Sequence, residues 1–116
     1  MTGKKKNGRK DGEDIQSLAE IDRLIHEPAR LLITANLYVV ESADFLFLMR
    51  QTGLTHGNLS SHMSKLEEAG YLEVKKEFVQ KRPHTMLFLT EKGRRAFKAY
   101  SRRMKQVFGE FPEETD

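Results

Sequence analysis

The chain has 116 residues, a net charge of +3 and no cysteine. This length fits one domain of common size, and the lack of cysteine excludes disulfides, thiolate metal ligands and a cysteine nucleophile. The longest charge-free apolar run, between Arg30 and Glu41, is far shorter than the ~20 residues of a membrane span. No apolar segment follows the basic N-terminus, so we expect no signal peptide and a cytoplasmic protein.

Charge is distributed unevenly along the chain. Residues 1–12 carry five basic and one acidic side chain, residues 13–54 three basic and seven acidic, and residues 90–110 seven basic and two acidic. Such asymmetry indicates an anionic partner. A solvated tail and a solvated helix face are the alternative interpretation, and charge by itself does not choose between them.

Three helices are predicted in the first half of the chain. Residues 1–12 have almost no apolar content and are predicted to be disordered. Apolar residues at three- and four-residue spacing predict a helix over residues 14–26. Pro28 suits the first turn of a second helix. Ser42 is the predicted N-cap of a third helix, which Gly53 ends.

The segment LTHGNLSSHMSKLEEAGYL, residues 54–72, predicts a fourth helix between a Thr55 cap and Gly70. Leu59, Met63 and Leu66 would face the core. The remaining positions are mostly small and polar, and such residues are middling or poor helix formers. A helix that enters a DNA major groove needs such a surface, because small side chains let its backbone approach the bases. A merely polar helix of a globular protein is the alternative.

From residue 71 onward the spacing of the apolar residues changes from the three- and four-residue steps of a helix to the alternation of a strand. Residues 71–78 predict a strand, residues 79–85 a polar loop and residues 86–90 a second strand. Thr90 caps a final helix that ends near residue 108, and the acidic end, residues 111–116, is expected to fray. Helices followed by a hairpin predict a winged helix-turn-helix, which is mainly α with a small β-hairpin (α+β). We expect one such domain over residues 13–110, with terminal helices for dimerisation.

Four segments carry a resemblance to a known family. They are the His-x-x-x-Arg-Leu pattern from His26 to Leu31, LTHGNLSSHMSKLEEAGYLE, KRPHT and LTEKGRRAF, and together they span residues 26–97. In this order and spacing they resemble small single-domain winged-helix transcriptional regulators of the MarR/ArsR type. The resemblance implies a homodimer that binds double-stranded promoter DNA sequence-specifically, as a repressor or an activator.

The resemblance also implies two groups of DNA contacts. The residues in the major groove would be His56, Gly57, Asn58, Ser60, Ser61, His62 and Lys65, and those of the wing would be Lys81, Arg82, His84 and Thr85. Many relatives have Arg where this chain has Ser61, so a bidentate guanine contact or a phosphate clamp is absent here. Base readout is then weaker, or shifted to Asn58 and the wing. Each residue also has a structural alternative, such as a His62 packed on the wing.

An apolar stripe in the last helix has the spacing of a helix that packs on another helix. With the first helix it predicts a dimer interface formed by Ile15, Leu18, Leu24, Ile25, Phe97, Tyr100, Met104, Val107 and Phe111. A two-fold dimer would set its recognition helices roughly 34 Å apart. The alternative is that these helices pack against each other within one chain.

The sequence contains no catalytic constellation, phosphate-binding loop or metal motif. We therefore expect no enzyme, no cofactor and no metal site, because the four histidines are scattered over separate elements. The resemblance also allows a small apolar effector in the dimer crevice, as in many MarR-type proteins. The sequence shows no convergent polar groups that would identify it. The rival function is a winged-helix protein-interaction module in a larger assembly.

Overall fold

The computed structural model describes residues 17–114. A short 3-10 helix, Ser17–Glu20, comes first. The other elements in this range are α1 (Pro28–Val40), β1 (Ser42–Asp44), α2 (Phe45–Thr52), α3 (His56–Glu68), β2 (Leu72–Val79), β3 (Arg82–Leu89) and α4 (Glu91–Phe108). The predicted winged helix of the α+β class is confirmed. The predictions of a disordered tail over residues 1–12 and of a helical Ile15 lie outside the described residues.

Local capping explains most helix ends. The Thr55 hydroxyl accepts a hydrogen bond from the backbone N–H three residues on, at 3.1 Å, and the Thr90 hydroxyl does the same at 3.0 Å. Gly53 (φ 73°) ends α2 and Gly70 (φ 83°) follows α3, both in the left-handed region that glycine tolerates. All four predicted positions are confirmed.

The cap of α2 is Asp44, and the prediction of Ser42 is wrong. Asp44 Oδ1 accepts from the N–H groups of Leu46 at 2.5 Å and Phe47 at 3.4 Å. Ser42 lies in β1, opposite Phe88 of β3. Its backbone therefore belongs to the sheet, three residues before the first residue of α2.

The continuous helix predicted over residues 14–26 is wrong for the part that the structure describes. After Ser17–Glu20 the chain runs in turns up to α1. Asp22 Oδ1 accepts from the N–H groups of Leu24 at 2.9 Å and Ile25 at 3.1 Å, which gives the backbone a turn in place of a helix. Ile25 is nevertheless fully buried. The spacing of the apolar residues in this segment therefore indicated side chains that pack in the core and did not indicate a helix.

The sheet has the order β1-β3-β2 and is antiparallel throughout. The β2–β3 hairpin is the wing. Val79 pairs with Arg82, so only Gln80 and Lys81 form the turn at its tip. Both have positive φ, 52° and 67°, as in a type I′ hairpin turn. The predicted loop over residues 79–85 is therefore too long, and β1 had no prediction.

Two clusters of buried side chains hold these elements together. The larger one joins α1, α2, α3 and the sheet through Ile33, Leu37, Leu48, Leu59, Leu66 and Leu87, among others. The smaller one packs Ile21 and Ile25 against Tyr100 of α4. Within the described range no helix is both long and apolar enough to cross a membrane.

Candidate nucleic-acid interface

Helix α3 buries one side and exposes the other. Leu59 and Leu66 are fully buried, and Met63 packs against the same cluster, as predicted. The outer side carries the residues predicted for the major groove. Ser60 and His62 are half-buried, and the others are exposed: His56, Gly57, Asn58, Ser61 and Lys65.

The first turn of α3 is open to close approach. A side chain at Gly57 would meet no heavy atom within 4 Å, so the helix backbone is uncovered there. N-terminal backbone N–H groups and the positive end of the helix dipole favour an anion at this position. The first turn of α3 therefore has the open backbone that a close contact with a phosphate or a base edge requires.

A cleft joins this turn to the wing. His56 packs on Phe45, the first residue of α2, with ring centroids 4.8 Å apart. The cleft has a volume of about 420 Å³ and is lined by Asp44, Phe45, Leu46, His56, Arg82, Pro83, His84 and Thr85. The structure thus brings the start of α3 next to three of the four predicted wing residues.

His62 faces α1 rather than the wing. The Arg30 guanidinium donates to His62 Nδ1 at 3.1 Å, and Glu27 Oε1 lies 3.8 Å from the same nitrogen. Because a guanidinium can only donate, Nδ1 of the neutral imidazole is the acceptor in this contact and its proton is on Nε2. His62 is therefore a helix–helix contact whose second nitrogen is a donor.

Glu27 holds this corner together electrostatically. Its carboxylate caps α1 by accepting from the Arg30 N–H at 2.8 Å. Burial raises the pKa of Glu27, but that hydrogen bond and the nearby His62 and Arg30 outweigh it, so the net direction is down. The ionised form is favoured, and it fixes the start of α1 beneath α3.

The wing divides into an exposed tip and an anchored base. Lys81 and Arg82 are exposed, whereas His84 and Thr85 are half-buried. His84 Nδ1–H donates to Asp44 Oδ2. This hydrogen bond is the main reason that the pKa of Asp44 is lowered; burial opposes it, and the N–H groups of the α2 cap add to it. One nitrogen of His84 is thus committed to the protein.

Two contributors to this surface were not predicted. Arg30 belongs to the quoted His26-to-Leu31 pattern, but nothing local reveals that its Nε donates to the Leu24 carbonyl at 2.5 Å while its guanidinium supports His62. Asp44 carries the capping spacing typical of a helix start. That spacing could have identified it as the cap, though not as the partner of His84.

The residues predicted for the dimer interface divide by exposure. Three of them are buried within the chain: Ile25, Tyr100 and Val107. Another three are partly buried, namely Leu24, Phe97 and Met104. Leu18 and Phe111 are 37% and 55% exposed, and Ile15 lies outside the described residues. Ile25 and Tyr100 form the intramolecular contact that was the alternative interpretation. Only the exposed and partly buried residues are left for a partner.

No group of three or more histidine, aspartate or glutamate side chains among residues 17–114 could hold a metal ion.

The fold and the surface just described define a winged-helix DNA-binding protein. The family model described as "Winged helix DNA-binding domain" matches residues 29–108, and the chain belongs to this family. The fold is that of transcriptional regulators rather than of enzymes.

Individual relatives agree with this assignment. The chain is 41% identical over 78 residues to uncharacterized protein MJ0432 of Methanocaldococcus jannaschii, and the match covers 67% of this chain and 85% of that protein. A transcriptional regulator homologue from Pyrococcus horikoshii OT3 superposes with a TM-score of 0.76 at 28% identity, over 84% of this chain and 95% of that one.

A transcriptional regulator of the MarR family from Silicibacter pomeroyi has a TM-score of 0.57 at 18% identity. The match covers 89% of this chain and 64% of that regulator. At such an identity the likeness establishes the fold. The resemblance of the sequence to MarR-type regulators is thereby confirmed at the level of architecture.

Proposed function

We propose that this protein is a sequence-specific transcriptional regulator that binds promoter DNA as a homodimer. The observation that carries the proposal is the outer surface of α3, which is exposed and composed of small polar side chains around Asn58. Asn58 would read base edges, while Lys65, Lys81 and Arg82 would bind phosphates. The basic wing tip and the uncovered backbone at Gly57 support the same interaction.

The homodimer is supported by apolar surface at the end of the chain. Phe108 and Phe111 are 62% and 55% exposed, although phenylalanine usually contributes to a core. A second copy packed there would form a two-fold dimer that presents two recognition helices to a pseudo-palindromic site. Sedimentation of the purified protein tests this part, and a monomer alone at micromolar concentration would contradict it.

The principal test is DNA binding by the purified chain. Labelled fragments of its own genome are titrated by fluorescence anisotropy at two salt concentrations, and the fragments that stay bound are recovered and sequenced. A small set of promoter fragments that survives the higher salt is the expected result. Uniform weak binding that vanishes with salt would leave only the counterion-release contribution and contradict sequence specificity.

Variants identify the surface. Lys65→Ala, Lys81→Ala and Arg82→Ala should each weaken binding and reduce the log–log salt slope by about 0.9. Arg95→Ala is the matched control, because Arg95 on α4 is exposed and its only ion pair within residues 17–114 is the i,i+4 pair with Glu91. If the three variants bind DNA like wild type and lose a protein partner instead, the protein-interaction module is the correct function.

A groove on α4 supports regulation by a small effector. It has a volume of about 330 Å³ and is lined by Tyr38, Phe97, Lys98, Ser101, Arg102 and Lys105. Two aromatic rings beside three cationic side chains suit an aromatic carboxylate, a more polar effector than the apolar one considered from the sequence. Phenylacetate is a direct probe, and a change in DNA affinity that Arg102→Ala abolishes is the expected result.

A further inference from the structure

The wing ends in an apolar surface that the fold does not use. Phe78 is 77% exposed, and its neighbour Val79 is 48% exposed. Phe78 belongs to the same side of β2 as the buried Leu72, because successive side chains of a strand alternate between faces. Its exposure therefore comes from its distance along the strand and not from the side on which it lies.

The strand register shows how far this surface extends. Val74 pairs with the buried Leu87, and four pairs farther on Phe78 stands opposite Pro83. Directly opposed residues share a face of the sheet. Four residues of strand cover roughly 14 Å, so Phe78 stands beyond the core side chains of β2, while Pro83 opposite it lines the cleft between the wing and α2.

The charge around this pair selects the kind of partner. Lys76, Lys81 and Arg82 are exposed and form no ion pair with any residue of the described range. Glu77 is the one acidic residue among residues 76–82, so three basic and one acidic side chain give this segment a net charge of +2. A second copy of the same tip would bring like charges together and is disfavoured. A polyanion is favoured. A two-stranded ribbon has the width of the DNA major groove, but the single Phe78 ring is narrow enough for the minor groove, which is about 6 Å wide.

We propose that Phe78, backed by Pro83, is a minor-groove wedge that packs against or between base steps while the three cations bind the flanking phosphates. Apolar side chains used in this way partly unstack a step and kink the duplex. Pyrimidine–purine steps such as TA deform at the lowest cost. Phe78 therefore selects sequence through DNA deformability, at positions that α3 does not reach.

This inference rests on the proposed DNA-binding function and adds a specificity determinant to it. The chain contains no tryptophan, so Phe78→Trp introduces a single fluorophore at the proposed contact. Val39→Trp is the matched control. Val39 is 79% exposed on α1. It lies three residues before Ser42, and Ser42 pairs with Phe88, which is at the end of β3 that is farther from the wing tip.

Two 24-base-pair duplexes, about two turns of DNA each, serve as probes, one of alternating A·T pairs rich in TA steps and one a continuous A-tract. Wild type should prefer the alternating duplex, and Phe78→Ala should reduce that preference about fivefold without changing the salt slope. The indole emission of the Phe78→Trp variant should fall about twofold on the alternating duplex, because bases stacked on an aromatic ring contact it directly. The emission of the Val39→Trp variant should stay constant.

These measurements distinguish a failure of the Phe78 wedge from a failure of the proposed DNA-binding function. If wild type binds both duplexes while the emission of the Phe78→Trp variant stays constant, or if Phe78→Ala keeps the full preference, the wedge is overturned and DNA binding stands. If wild type binds neither duplex at low salt, both proposals are overturned. Circular dichroism of each variant confirms folding, which the exposed position of Phe78 leads us to expect.

Discussion

The imidazole of His84 in the wing is hydrogen-bonded to the carboxylate of Asp44, the residue that caps α2. Forty residues of chain separate the two. One carboxylate thus accepts from the start of α2 through Oδ1 and from the wing through Oδ2. The position of the wing relative to the helix-turn-helix is therefore coupled to a helix cap, and we expect the stability of the two to change together.

Replacing Asp44 tests this coupling. Asp44→Ala should lower the free energy of unfolding by about 2 kcal/mol, because it removes both the cap and the partner of His84. Asp44→Asn keeps a capping oxygen and should lose about 1 kcal/mol. Urea unfolding measures both. A double-mutant cycle with His84→Ala gives the coupling energy, and a value near zero would show that the contact contributes nothing.

The pH dependence of the same pair has a definite sign. The pKa of Asp44 is lowered in the folded state, so its contribution is fully present above the ordinary carboxyl pKa of about 4 and is lost as the pH falls through the folded value. Asp44→Asn should therefore show a flatter decline of stability in acid than wild type. Equal acid limbs for the two proteins would contradict this.

Two glycines should respond to alanine in opposite directions. A Cβ at Gly93 would lie 2.3 Å from the backbone oxygen of Tyr71, where α4 starts against the turn that follows α3. Gly93→Ala should cost about 3 kcal/mol through this overlap. Gly57→Ala meets no atom within 4 Å and should stabilise α3 by roughly 0.5 kcal/mol, while its methyl group weakens DNA binding. Thermal unfolding and anisotropy report the two effects.

Features that depend on short stretches of sequence were predictable here. Thr55, Thr90, Gly53 and Gly70 act within three or four residues of their own positions, and they set the helix ends as expected. The buried side of α3 followed from the spacing of its apolar residues. These choices need no knowledge of the rest of the fold, because capping and amphipathicity are local properties.

Features that depend on distant contacts were not predictable. β1 has three residues and exists because β3 pairs with it. The partners of His62 and His84 come from elements brought close only by folding. For the candidate site, the sequence could identify which residues are polar and exposed on α3, but it could not show that His62 supports α1 or that Phe78 lies beyond the core.

The wing tip predicts a gain of stability by redesign. Gln80 and Lys81 both hold positive φ, although Asn-Gly is the preferred pair for this turn. Gln80→Asn with Lys81→Gly should stabilise the protein by about 1 kcal/mol by relieving that strain. Lys81→Ala is the control that removes the same charge and keeps the strain, so it should bring no gain. Equal stabilities of the redesigned and control proteins in urea would contradict this.

His62 should combine a structural and a DNA-binding role through its two nitrogens. Nδ1 accepts from Arg30 at 3.1 Å, and Nε2–H remains as a donor for a phosphate. His62→Ala removes both interactions and should lower the free energy of unfolding by about 1 kcal/mol as well as DNA affinity. His62→Asn offers Arg30 an acceptor close to the position of Nδ1 but has no group in place of Nε2–H.

The asparagine variant therefore separates the two roles. It should retain most of the stability of wild type and still bind DNA less tightly, as measured by urea unfolding and by anisotropy on the same preparation. If it binds DNA as tightly as wild type, His62 acts only by anchoring α3 to α1. Arg30→Met completes the comparison, because it removes the donor to Nδ1 and leaves Nε2–H in place. Arg30→Met should lower the free energy of unfolding. It should lower the affinity for DNA only if the loss of the contact displaces α3.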